Sequence, residues 1–138
     1  MLITFKVEGN PKAKARPRFA RMGTFVRTYT DAKTKAYEEQ IALIAKQAMG
    51  ASKPLETALD AFIYISLPIP KSHSKKRREN CLNNVEKPIK KPDTDNICKA
   101  FLDGMNGVIY KDDSQIVNLF STKVYGDPFV EVLIKESE

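Results

Sequence analysis

Residues 91–116 read KPDTDNICKAFLDGMNGVIYKDDSQI and hold five of the chain's eight aspartates: Asp93, Asp95, Asp103, Asp112 and Asp113. A helix starting near Asp95 and turning about 100° per residue places Ile97, Cys98, Phe101, Leu102 and Met105 on one arc of about 140°. That arc is expected to face the core. The opposite arc collects Asp95, Asn96, Lys99, Asp103 and Asn106, and Asn106 with Gly107 supplies a left-handed stop. Pro92 keeps the preceding residues extended, so Asp93 and Asp95 can point the same way, about 6–7 Å apart at the backbone. After the short apolar run Val108–Ile109–Tyr110, a turn can fold Asp112 and Asp113 back against the first pair.

Three or four carboxylates without histidine or cysteine make a hard oxygen site, which suits Mg²⁺, with Mn²⁺ as a substitute, and not zinc. Plainer uses of the same residues stand beside this one. Asp93 and Asp95 can cap the helix, Asp112 and Asp113 can be turn residues, and Lys99 can bridge Asp95 and Asp103 at i, i+4. His73, the single histidine, lies in a basic loop; Cys98 falls on the apolar arc. Cys81 and Cys98 provide neither a disulfide framework nor paired zinc ligands, so both are expected to be reduced and passive, with no structural zinc.

Upstream, residues 58–67 (ALDAFIYISL) form an almost continuous apolar run ended by Pro68 and Pro70, as an interior strand does. Residues 2–8 alternate, with Ile3, Phe5 and Val7 on one side, and predict a half-buried first strand. Between these, Tyr37, Ile41, Ile44, Ala45 and Ala48 recur at helical spacing from an N-cap at Thr30 or Asp31 to a stop at Gly50. Residues 116–125 and 129–135 are strand-like, and the intervening Gly126, Asp127 and Pro128 predict an antiparallel hairpin. Residues 71–80 can form a short basic helix before a loop. The sum is one small domain of mixed α/β (α+β) class, with a mixed or antiparallel sheet and two main helices.

The net charge of +6 is concentrated in two segments. Residues 10–35, broken by Pro11, Pro17 and Gly23 and able to turn as a hairpin at Met22–Gly23, carry a net +7, and residues 71–91 a net +6. Clustered cations on an otherwise acidic chain fit a polyanion, because phosphate contacts release condensed counterions. The candidate nucleic-acid contacts are Lys12, Lys14, Arg16, Arg18 and Arg21 in the first segment and Lys75, Lys76, Arg77 and Arg78 in the second. Solvated loops are the plainer alternative. No apolar stretch approaches the roughly 20 residues of a membrane span, and the N-terminus reads as a strand, so a soluble cytoplasmic protein is expected.

Taken together, PDTDN, Lys99 four residues after Asp95, Asp103 four further on, Asn106–Gly107, and DDSQ at 112–115 resemble the RusA family of Holliday junction resolvases, often carried by phages and prophages. The resemblance extends to GNPKAKARPR after the first strand and to the helix containing TYTDAKTKAYEEQI; residues 71–91 are its least diagnostic part. It implies a RusA-like fold and a crossover junction endodeoxyribonuclease acting in DNA recombination and repair, with products of the 5′-phosphate and 3′-hydroxyl type. It further implies Asp93, Asp95 and Asp113 as essential metal-binding carboxylates, Lys99 as the catalytic lysine, and Asp112 and Asp103 as second choices. The implied working form is a homodimer on branched DNA, needing no small-molecule cofactor, and Val130, Val132 and Ile134 are candidate interface residues. A non-catalytic branched-DNA-binding protein, a metal-dependent ribonuclease or a phosphatase are the alternatives.

Overall fold

The computed structural model describes residues 1–16, 18–29 and 31–138. Pro17 and the alternative N-cap Thr30 lie outside the described residues, and so does the side chain of Arg18. Six strands and three helices follow in the order β1 (Leu2–Glu8), β2 (Arg18–Met22), β3 (Phe25–Tyr29), α1 (Ala32–Met49), β4 (Leu59–Leu67), α2 (Lys75–Leu82), α3 (Thr94–Gly104), β5 (Ile116–Tyr125) and β6 (Phe129–Glu136), with a 3-10 turn at Asp113–Gln115. The class is mixed α/β, as the residue patterns predict; α2 is the third helix, short and basic. Asp31 caps α1 by accepting from the Lys33 N–H at 3.1 Å.

The main sheet runs β1-β6-β4-β5, with β4 parallel to β5 and antiparallel to β6, and β6 antiparallel to β1. The expected hairpin of residues 116–125 and 129–135 is therefore not formed: the two strands are antiparallel in direction, but β4 lies between them. The reason is in β4, whose Leu59, Ala61, Ile63, Ile65 and Leu67 are all buried. A strand this apolar gains most at the centre of the sheet, whereas β5, exposed along most of its length, is suited to an edge. The step from Tyr125 to Phe129 can reach about 13 Å when extended, enough to cross two strand spacings of about 4.8 Å. The crossing is tied down where the Gly126 N–H donates to the Leu67 carbonyl at 2.9 Å.

One face of the sheet, including Ile3, Phe5, Val7, Val130, Val132 and Ile134, forms a single core with α1 and α3. Helix α1 contributes Tyr37, Ile41, Ala45 and Met49, while Ala48 is exposed and Ile44 only partly buried. Helix α3 contributes Ile97, Cys98, Ala100, Phe101 and Gly104, followed by Met105; the buried arc is shifted toward Ala100 and Gly104, and Leu102 at its far edge is only partly buried. Val130, Val132 and Ile134 are 0% exposed, so the expectation that they form an interface is corrected: alternation along β6 turns all three into the chain's own core.

Gly104 marks the closest approach of α3 to α1. A Cβ there would stand 2.9 Å from Ile41 Cγ2 and 3.2 Å from the Glu38 carbonyl oxygen. Gly104→Ala should therefore lower stability by about 1–3 kcal/mol by forcing the two helices apart, despite the better helix propensity of alanine. Urea unfolding checks this; an unchanged or raised midpoint would contradict the close packing.

The β2–β3 hairpin pairs Met22 with Phe25 around a turn at Gly23–Thr24, one residue later than the expected turn, with Gly23 at φ +64°. Every residue of β3 is exposed, Phe25, Val26 and Tyr29 among them. No helix among the described residues is long and apolar enough to cross a membrane.

Candidate active site

Helix α3 opens at Asp93, whose backbone is extended and whose side chain makes no capping hydrogen bond. The capping use of this carboxylate is thus not taken up; its nearest cation is Lys91 at 3.8 Å, on the surface. Two residues after Asp93, Asp95 already lies inside the helix and not in an extended segment with Asp93, and with Lys99 it stands on the exposed side of α3, as the helical arc requires. Together with Thr94, Cys98, Leu102 and Asp103 they line an open cleft of about 550 Å³, closed on its other side by Asp113 and by Leu119 and Ser121 of β5. Strand alternation explains that wall: Leu119 and Ser121 turn toward α3, whereas Phe120 turns to the opposite face and stacks on Phe62.

The turn carrying Asp113 is fixed by its neighbours. Asp112 accepts from the Ser114 N–H at 3.2 Å, and Gln115 Oε1 accepts from the N–H groups of Lys111 and Asp112, both at 3.0 Å, completing a capping box. Gln115 Nε2 in turn donates to the Leu55 and Thr57 carbonyls at 2.9 and 3.0 Å, anchoring the turn to the segment before β4. Asp112 is therefore a cap whose carboxyl is held below its usual range by the Ser114 hydrogen bonds. Its neighbour Asp113 faces the cleft. The D-x-x-Q spacing, from Asp112 to Gln115, carries the signal for this box.

Asp103 is held differently. Lys14 Nζ lies 2.8 Å from Asp103 and 2.7 Å from Glu38, and the Lys14 N–H donates to the Asn96 carbonyl at 2.9 Å. Burial alone would lower the lysine's pKa, but the hydrogen bonds it donates to Asp103 and Glu38 outweigh it and hold the ammonium charged. Lys14 was expected among the DNA contacts; its side chain is only 16% exposed and its charge is spent inside, clamping the basic arm to α1 and α3. The plainer use of Lys99, a bridge to Asp95 and Asp103, is not taken up, and among the described residues Lys99 has no ion pair.

Burial pushes the Tyr110 hydroxyl pKa up, with Asp113, Asp103 and Asp112 acting in the same direction. The Tyr110 hydroxyl donates to the Leu102 carbonyl at 2.6 Å, so this one ring braces α3 against the Asp113 turn. Burial also raises the Cys98 thiol, an effect reinforced by Asp95 and partly offset by a hydrogen bond with Ser121. The donors the cleft offers a hard cation such as Mg²⁺ are its carboxylate oxygens, since thiolate sulfur suits softer metals. Among the described residues no three aspartates bring oxygens within 4.8 Å of one another. Mg²⁺ needs no such cage, since it keeps several waters and takes one or two carboxylates together with substrate phosphate.

Of the remaining basic candidates, Lys12, Arg16 and Arg21 are exposed on the N-terminal arm and hairpin, and Lys75, Lys76, Arg77 and Arg78 on α2. Arg77 is paired with Glu86, and Arg78 donates to the Pro70 carbonyl. Lys123 on β5 donates to the carbonyls of Lys90 and Pro92 at 2.9 and 3.1 Å, steadying the approach to Asp93.

The endodeoxyribonuclease RusA family matches residues 8–135, which takes in every residue of the cleft. The chain belongs to that family. Membership indicates an endodeoxyribonuclease. Over 136 residues the chain is also 38% identical to a protein of Bacillus subtilis (strain 168) named "Uncharacterized protein YqaN", covering 97% of this chain and 96% of that one. The aspartate-rich stretch of residues 91–116 supplies both elements that face each other across the cleft, α3 and the turn before β5.

Proposed function

We propose that the chain is a cytoplasmic Mg²⁺-dependent endonuclease that resolves four-way DNA junctions by paired nicking. The observation that carries this reading is the meeting of Asp95, Lys99 and Asp113 at one open cleft, from elements 14 or more residues apart in sequence. Asp95 and Asp113 would hold the cation from opposite walls, with Asp93 as a third carboxylate at the helix start. Mg²⁺, when bound, polarises the phosphodiester and makes water a better nucleophile. Lys99, without an ion pair among the described residues, offsets the negative charge that gathers on the phosphate oxygens. In the reaction a water oxygen bonds to phosphorus as the bond to the leaving strand's oxygen breaks. Lys14 keeps Asp103 neutralised, so that the cleft does not repel phosphate more than it must.

The working form in this reading is a two-fold dimer, since a four-way junction offers two equivalent strands. The open face of the sheet supplies apolar surface for it: Phe62 and Tyr64 of β4 and Phe120 of β5 flank a shallow groove, with Tyr64 42% and Phe120 55% exposed. The exposed cations of the arm, the hairpin and α2 would grip the DNA backbone, giving affinity with little sequence information. Replacing Lys75 and Lys76 together with glutamine should weaken junction binding and flatten its salt dependence by about one unit of slope per lost phosphate contact. Fluorescence anisotropy across a salt series measures this, and an unchanged slope would make both lysines bystanders.

End-labelled junction, flap, duplex and RNA substrates incubated with Mg²⁺ or with EDTA test the activity. Cleavage of the junction in Mg²⁺ alone is expected. Equal cutting of RNA or plain duplex, or full activity in EDTA, would overturn the reading.

A further inference from the structure

Helix α2 and its flanks bring together three side chains that the nuclease chemistry leaves unused. His73 lies in the turn before α2, Cys81 in its last turn and Glu86 in the loop beyond, yet their ligand atoms all fall within 4.8 Å of one another. Cys81 Sγ and His73 Nδ1 are 3.7 Å apart. Two such atoms on a tetrahedral zinc ion, at bond lengths of about 2.3 and 2.0–2.1 Å, stand about 3.6 Å apart. Cys81 is 1% exposed, whereas His73 and Glu86 are half-buried, so the cluster sits just beneath the surface.

The backbone holds these groups in place before any ligand arrives. Ser74 caps α2 by accepting from the Arg77 N–H at 3.2 Å, and the His73 N–H donates to the Pro70 carbonyl at 3.1 Å. Asn84, at φ +59°, reverses the chain after α2, and the N–H groups of Val85 and Glu86 both return to the Asn80 carbonyl, at 2.8 and 3.0 Å. Tyr125 packs edge-on against the His73 ring at 6.1 Å and limits its rotation. Arg77 donates to both Glu86 oxygens, from Nη2 to Oε1 at 2.5 Å and from Nε to Oε2 at 3.4 Å, but a carboxylate has about four lone-pair sites, so one on either oxygen stays open to a cation.

We infer that His73, Cys81 and Glu86 form a binding site for a zinc-class divalent cation, separate from the carboxylate cleft of Asp95 and Asp113. Sulfur and imidazole nitrogen select zinc or cobalt over magnesium, and three protein ligands leave a fourth position for water. On binding, the Cys81 thiol loses its proton to solvent and the sulfur takes up the cation. The bound ion would tie α2, with its exposed lysines, to the loop that leads through Pro92 to Asp93. The expectation of two passive cysteines drew on spacing along the chain, and it is the reversal at Asn84 that closes the set.

Cobalt is the probe, because its thiolate complexes absorb visibly and it takes zinc sites. Metal-stripped full-length protein titrated with Co²⁺ should develop a thiolate-to-cobalt charge-transfer band saturating at about one equivalent, displaced by Zn²⁺ and not by excess Mg²⁺. The band should persist in Cys98→Ser and vanish in Cys81→Ser, and His73→Ala should weaken Co²⁺ binding by about tenfold or more. Circular dichroism of each metal-free variant establishes that it is folded. As a second readout, Zn²⁺ should raise the melting temperature of the wild type and not of Cys81→Ser. No band in the wild type, a band that survives Cys81→Ser, or no Zn²⁺-dependent rise in melting temperature would overturn the site and leave a plain cysteine–histidine contact.

Discussion

Asp95→Asn should abolish strand cleavage, by about 10²-fold or more, while leaving junction binding intact or tighter. The substitution keeps the size of an exposed side chain on α3, so folding has no reason to change, but it removes a carboxylate charge from the cleft where the proposed cation would bind. It also removes one negative charge from a surface that must accept phosphate, which is why affinity should hold or rise. Asp113→Asn should behave alike, because its carboxylate faces the same cleft from the opposite wall. Asp112→Asn provides the contrast. Asp112 accepts from Ser114 as a turn cap, so its loss should reach activity only through the position of Asp113 and cost less. Single-turnover cleavage of a labelled junction at saturating Mg²⁺ separates these cases; wild-type rates in Asp95→Asn or Asp113→Asn would remove that residue from the reaction.

Phe101→Ala should come close to unfolding the protein. Phe101 is 0% exposed, meets Tyr37 of α1 edge-to-face at 5.7 Å, and sits in the helix that carries Asp95 and Lys99. Truncating a buried phenylalanine typically costs about 3–5 kcal/mol, against a total stability of about 5–15 kcal/mol for a domain. The loss should appear in urea unfolding, with cleavage falling as the folded fraction falls. A loss below about 1 kcal/mol would mean that the α1–α3 contact is not the support of the site.

How much of this was legible in the residues themselves follows from range. The buried arc of α3, the alternation of β1 and the apolar run of β4 are local periodicities, and all three appear in the structure. The placement of β4 between β5 and β6 is not local. Gly126–Asp127–Pro128 has turn chemistry whether it links neighbours or steps over an intervening strand, and only competition for the centre of the sheet decides between them. The same holds for Lys14, one basic residue among many until the arm folds against α1 and α3 and gives it Glu38 and Asp103. The meeting of Asp95 with Asp113 is open to a reader of the residues only as a turn after Val108–Ile109–Tyr110 that can fold back; the geometry supplies its cause in the Gln115-anchored turn and the Tyr110 brace.

The most direct test of junction resolution by paired nicks is a supercoiled plasmid that extrudes a cruciform, incubated with the wild-type protein and Mg²⁺. Two cuts placed symmetrically about the crossover within the lifetime of one complex should convert it mostly to linear product, and mixed dimers carrying one Asp95→Asn subunit should accumulate nicked circles instead. Nicked circles as the main wild-type product, or linear product with cuts scattered independently on the two strands, would contradict the account.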